Sequence, residues 1–131
     1  MSMKDIKEIL VAMGKNYTSI HMYFLKHLNR YGKVHMDIPI WRNNKWETDK
    51  IMYIQEVPKG SFINKEFQIK NGVKLELIKN TYTLLFNIVD NDTKINIRSG
   101  LAETRNDVFK EYEKFIRNAY ELHMIQTGNV M

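Results

Sequence analysis

The spacing of apolar residues changes along this chain, from a helical period at both ends to an alternating period in the middle. Ile6, Ile9, Leu10 and Met13 recur at the i, i+3, i+4 and i+7 positions of an amphipathic helix. Between residues 34 and 40, apolar and polar side chains alternate instead, as in a strand with one buried face. This order favours an α+β fold, with helices covering one face of an antiparallel sheet.

Helices are predicted near residues 6–13 and 17–31, which would form an N-terminal helical pair. A long C-terminal helix is predicted from an apolar face that contains Val108, Tyr112, Phe115, Ala119 and Leu122. Glycines at the ends of such patterns favour helix termination, and Ser, Thr or Asn at their starts favour N-caps. The predicted caps are Ser2 for the first helix, Asn16 or Thr18 for the second and Ser99 or Thr104 for the third, and the predicted stops are Gly14, Gly32 and Gly128.

The middle of the chain predicts an antiparallel meander of about five or six strands. Pro39 lacks the N–H that a sheet ladder needs, so its strand is expected at an edge. The apolar stretch around residues 82–89 is expected in the interior of the sheet. The predicted strands include residues 34–40, 51–55, 62–69, 73–77, 82–89 and 95–97.

Length and composition indicate a single domain over residues 1–131. No cysteine is present, which excludes disulfides, thiolate metal sites and thiol nucleophiles. No apolar stretch approaches the roughly 20 residues of a membrane helix. We expect a cytoplasmic protein without a membrane partner, and a host cytoplasm if a phage encodes it.

No catalytic, cofactor-binding or metal-binding motif is found, so we predict a protein that is not an enzyme. Asp92-Thr93-Lys94 has the acid-x-Lys spacing of metal-dependent nucleases. The same residues follow Asp90-Asn91 in a pattern typical of a turn, and we interpret them as a turn. The six glycines form no phosphate-binding loop.

The net charge of +5 is unevenly distributed, with +6 in residues 1–98 and −1 in residues 99–131. A basic surface favours polyanionic partners. Lysine exceeds arginine and Ile and Asn are abundant, which is typical of AT-rich genomes such as those of many bacteriophages. The charge is therefore compatible either with nucleic-acid binding or with codon bias.

Residues 9–20, in which Gly14 separates two helical patterns, are similar to a helix-turn-helix. With the hairpin that follows, residues 6–54 resemble a winged helix. An αα-hairpin packed on a sheet explains the same pattern. The resemblance implies a second helix whose start faces a DNA groove and whose later cations, with those of the hairpin, contact phosphates. The implied groove residues are Lys15, Asn16, Thr18, Ser19 and His21, and the implied phosphate contacts are Lys26, Arg30, Arg42 and Lys45.

Trp41 and Trp46 flank the predicted hairpin turn, beside Arg42 and Lys45. Aromatic rings next to cations are typical of nucleic-acid platforms and of protein-binding hot spots. The two rings could equally stack across the hairpin as an aromatic pair. We predict that these four residues contact a partner.

The sequence leaves three classes of function open. The first is a non-catalytic protein that binds nucleic acid or a nucleic-acid-handling host protein. The second is a small phage-encoded inhibitor, such as an anti-CRISPR or other anti-defence protein, that binds a host protein. The third is a virion assembly component, in which sheet edges mediate homo-oligomers.

Overall fold

A computed structural model describes residues 5–58 and 82–128. Within them the fold is α+β, as predicted, with two N-terminal helices, an antiparallel sheet and a long C-terminal helix. The predicted strands at 62–69 and 73–77 lie outside the described residues. The elements are α1 (Ile6–Ala12), α2 (Tyr17–Tyr31), β1 (Lys33–Arg42), β2 (Lys45–Pro58), β3 (Tyr82–Asp90), β4 (Asn96–Ala102) and α3 (Arg105–Gln126).

The helix ends follow from local capping chemistry. Asp5, and not the predicted Ser2, caps α1, because its carboxylate accepts a hydrogen bond from the Lys7 N–H at 2.8 Å. Asn16 caps α2, as predicted, by accepting from the Ser19 N–H at 2.9 Å. The glycines predicted as stops follow the helices at positive φ, as left-handed C-terminal caps require. These are Gly14 (φ 76°), Gly32 (φ 70°) and Gly128 (φ 75°).

The described strands lie in the order β1-β2-β3-β4, and all neighbours are antiparallel. Among the strands of residues 5–58 and 82–128, β1 is therefore an edge strand, as the proline at position 39 indicated, and β3 is interior. Asn43 and Asn44 both have positive φ, which fits a tight two-residue hairpin turn. Because this turn is so short, β2 begins at Lys45 and not near residue 51 as predicted.

The helices cover one face of this sheet. Alternate side chains of β1, β2 and β3 form the core with buried residues of α1, α2 and α3. Gly100 on β4 allows the Phe86 ring to lie directly on its backbone, since a Cβ there would stand 2.3 Å from Phe86 Cζ. The last strand extends to Ala102, and Ile95 and Ile97, which predicted it, are exposed.

The opposite face of the sheet carries a row of aligned side chains. His35 pairs with Tyr53, Tyr53 with Asn87, and Asn87 with Ser99, so all four side chains project on the side away from the core.

Among the helices of the described ranges, none is long and apolar enough to cross a membrane.

Candidate binding surface

A pocket of about 330 Å³ lies where the end of α2 meets β1 and β2. We call it the ring-lined pocket, because aromatic or imidazole rings form much of its wall. The side chains that line it with rings, amides or charge are His27, Tyr31, Lys33, His35, Tyr53, Gln55 and Asn87. Such a mixture suits a small planar ligand that stacks on rings and hydrogen-bonds at its edge.

The floor of this pocket is organised by cross-strand contacts. The His35 and Tyr53 rings lie 6.1 Å apart between centroids. The Ser99 hydroxyl donates to Asn87 Oδ1 at 2.5 Å and accepts from the Asn96 amide at 2.9 Å. With its carbonyl oxygen engaged in this way, the Asn87 amide presents its NH₂ group as a donor.

Two of the pocket's rings, those of His27 and Tyr31, belong to a ladder of rings on α2. Tyr23, His27 and Tyr31 follow one another at four-residue spacing, with centroid distances of 3.9 Å and 5.6 Å. His27 Nδ1 donates to the Tyr23 carbonyl at 3.0 Å, which holds the imidazole in the ladder. The Arg30 guanidinium lies 5.4 Å from the Tyr31 ring, a cation–π distance.

Of the predicted phosphate contacts, Lys26 and Arg30 lie on the exposed surface of α2. The Arg30 guanidinium lies over the Tyr31 ring, which lines the ring-lined pocket. The structure thus brings Arg30 next to the pocket, while it places Arg42 and Lys45 at the hairpin between β1 and β2.

The residues predicted to face a DNA groove divide among several environments. Lys15 and Ser19 line a second depression, of about 250 Å³, whose other wall includes His35, Asp37 and Tyr112. The remaining three are Asn16, whose side chain caps α2, Thr18, which is exposed, and His21, whose half-buried ring lies 4.8 Å from Phe109.

The predicted hairpin contacts lie at the far end of β1. Trp41 and Trp46 face each other across the hairpin, 5.4 Å apart, and both rings contact His123 of α3 at 4.5 Å and 4.9 Å. This geometry is that of an aromatic pair packed across the hairpin, which was one of the two interpretations of these tryptophans. Contact of these tryptophans with a partner stays a prediction.

The hairpin cations are close to a carboxylate. Arg42 Nε lies 2.9 Å from Glu47, and Lys45 Nζ lies 3.7 Å from it. The hydrogen bond from Arg42 lowers the pKa of Glu47 and raises that of Arg42. The positive charge available to a phosphate is therefore smaller here than the sequence indicates.

The turn predicted at Asp90 is confirmed. Its carboxylate accepts hydrogen bonds from the Asp92 and Thr93 N–H groups at 3.0 Å and 2.8 Å, and from the Thr93 hydroxyl at 3.0 Å. The Thr93 bonds are the main cause of the lowered pKa of Asp90. Within the described residues, no cluster of three or more His, Cys, Asp or Glu side chains could hold a metal ion.

Sequence reasoning missed most of the ring-lined pocket. The four-residue spacing of Tyr23, His27 and Tyr31 is readable in the sequence, but spacing alone gives no indication that these rings adjoin a pocket. The pairing of His35 with Tyr53 depends on strand register, which cannot be read from the sequence alone.

Comparisons with known proteins find no match to a family model, to a curated protein or to a solved structure.

Proposed function

We propose that the protein is a non-catalytic binding protein that holds single-stranded nucleic acid at the ring-lined pocket. The observation that carries this proposal is the composition of the pocket wall, in which rings, two amides and a lysine converge. Unpaired bases stack on aromatic rings, and every base has a face that can do so. The amides of Gln55 and Asn87 suit base edges, and Lys33 suits a phosphate.

A single strand is favoured over a duplex because the exposed rings of Tyr31 and Tyr53 can stack only on bases whose faces are free. A base can enter such a pocket only when it is unpaired and unstacked from its neighbours. The exposed cations Lys26 and Arg30 would attract the adjoining backbone. The duplex interface implied by the helix-turn-helix resemblance has less support, since Lys15 and Ser19 border a depression shared with the carboxylate of Asp37.

The test is fluorescence anisotropy with labelled single-stranded DNA and RNA and with a matching duplex, at about 50 mM salt. We expect tighter binding of the single strands. Tyr53→Ala should weaken this binding roughly 5- to 150-fold, because stacking on one ring contributes about 1–3 kcal/mol per base. Tyr82→Ala is the matched control, since Tyr82 is similarly exposed, at 48% against 43% for Tyr53, and does not line the pocket.

Lysine variants separate a specific phosphate contact from general basic charge. Lys33→Ala should reduce the slope of log affinity against log salt by about 0.7. Lys110→Ala, which removes an exposed lysine of α3, should leave the slope nearly unchanged. Equal effects of the two lysines would indicate non-specific attraction to a basic protein.

The second candidate is the inhibitor of a host protein. It would use the hairpin surface, whose tryptophans lie against His123 and whose cations lie beside Glu47. Absence of binding to both single strands and duplex at about 50 mM salt would contradict the nucleic-acid proposal and favour this class.

A further inference from the structure

The outer edge of β1 has main-chain groups directed away from its only neighbour among the described strands. The Glu56 N–H donates to the Gly32 carbonyl at 2.8 Å, and the register pairs Lys33 with Gln55. In an antiparallel ladder this makes residues 34 and 36 hydrogen-bonded partners of β2, while residues 33, 35 and 37 direct their N–H and C=O groups outward. The 2.9 Å hydrogen bond from the Tyr112 hydroxyl to the Asp37 carbonyl fits this assignment.

The open stretch is short and accessible. Lys33, His35 and Asp37 are exposed, and the two depressions on the α2 side of the strand both reach His35. Beyond this stretch Pro39 has no N–H to donate, and the register shifts between Ile38 and Pro39. Proline and a register irregularity are devices that prevent further pairing at an edge. Any added strand is thereby limited to about residues 33–37.

We propose that this edge pairs with the same edge of a second copy of the chain, antiparallel and with His35 on the two-fold axis. Lys33 then lies opposite Asp37 of the second copy, and Asp37 opposite Lys33 of the second copy. Opposite charges directly across an antiparallel pair are favourable, and the two-fold axis makes the contact twice. Each outward-directed pair exchanges two main-chain hydrogen bonds.

The remaining positions in this register also match. Val34 lies opposite Met36 of the second copy, and because both side chains are already buried in each copy, this position places no unpaired charge at the interface. The Asp37 carbonyl retains a second lone pair beside its bond with Tyr112. β4, the other outer strand in the described part of the sheet, has no such self-complementary pair, because Arg98 is the only charged residue between Asn96 and Ala102. Charge thus selects β1 for self-association.

The dimer does not require nucleic acid, and its test uses no oligonucleotide. Sedimentation velocity and light scattering, from about 1 to about 500 µM protein, should show a monomer–dimer equilibrium in the micromolar range that is typical of small interfaces. Asp37→Lys should weaken the dimer about tenfold or more, since each of the two symmetric contacts then opposes two lysines.

The decisive variant is the charge exchange Lys33→Asp/Asp37→Lys. It recreates both opposite-charge contacts and should restore the dissociation constant of the dimer to within about threefold of wild type. Glu121→Lys is the control for Asp37→Lys. It makes the same change of charge at an exposed position of α3 and should leave the dimer intact. Circular dichroism melting checks that every variant is folded.

Three outcomes overturn the proposal. A protein that stays monomeric over the whole concentration range has no such interface. A dimer that is insensitive to Asp37→Lys uses another surface. If Asp37→Lys weakens the dimer and the Lys33→Asp/Asp37→Lys exchange does not restore it, the register that pairs Lys33 with Asp37 is wrong. The exchange removes Lys33 from the ring-lined pocket, so restored dimerisation with weakened nucleic-acid binding separates the two proposals.

Discussion

Tyr112 connects the C-terminal helix to the edge strand through one hydrogen bond. Its ring is 3% exposed, and its hydroxyl donates to the Asp37 carbonyl at 2.9 Å. Burial raises the pKa of Tyr112 above its ordinary value, with a further contribution from the charge of Asp37. The folded protein therefore keeps this proton under alkaline conditions in which the unfolded chain has lost it.

The sign of the pH dependence follows from that difference. Below the ordinary tyrosine pKa of about 10 both states are protonated, and the stabilisation by Tyr112 is fully present. As the pH rises above about 10, only the unfolded state ionises, so the free energy of unfolding decreases. We expect Tyr112→Phe to lose less stability than wild type between about pH 9 and pH 11. Urea unfolding at both pH values measures this, and equal losses in the two proteins would contradict it.

Among the elements, α3 shows how the sequence pattern translates into burial. The predicted face included Val108, Tyr112, Phe115 and Leu122. The structure buries Val108 and Tyr112, leaves Phe115 only partly buried and exposes Leu122 by 41%. The last turns of this helix still meet the sheet at His123, which contacts the Trp41 and Trp46 rings, while Leu122 faces solvent.

Ile116 and Leu122 therefore give a paired test of this helix. Ile116 is fully buried, and Ile116→Ala should cost about 2–5 kcal/mol in the free energy of unfolding, because it leaves a cavity. Leu122→Ala, a similar truncation on the same helix, should change stability by only about 0.5 kcal/mol. Chemical denaturation of both variants measures the difference. Similar costs would mean that the final turns of α3 are covered.

Capping residues and periodicity predicted the elements better than they predicted the site. Asn16, Gly14 and Gly32 act through neighbours a few residues away, so their roles are readable along the chain. The pocket depends instead on the register of His35 with Tyr53, which joins residues far apart in sequence. The Arg42–Glu47 contact was missed although it is local, because a charge count does not show which cations are paired.

At the scale of the whole molecule, the proposed dimer and the proposed nucleic-acid site share two residues, Lys33 and His35. Both line the ring-lined pocket, and His35 would lie on the two-fold axis. Two pockets would therefore adjoin in the dimer. A single strand long enough to enter both pockets would gain affinity from the high effective concentration of the second site.

This combination predicts a dependence on oligonucleotide length that exists only in the dimer. A strand of about 4 nucleotides should bind wild type and Asp37→Lys equally, because Asp37 does not line the pocket and one pocket suffices. A strand of about 16 nucleotides should bind wild type at least tenfold more tightly than Asp37→Lys. Anisotropy titrations at a protein concentration that keeps wild type dimeric measure both affinities. If the longer strand gains equally in both proteins, the gain arises from contacts along one subunit, and the two pockets do not act together.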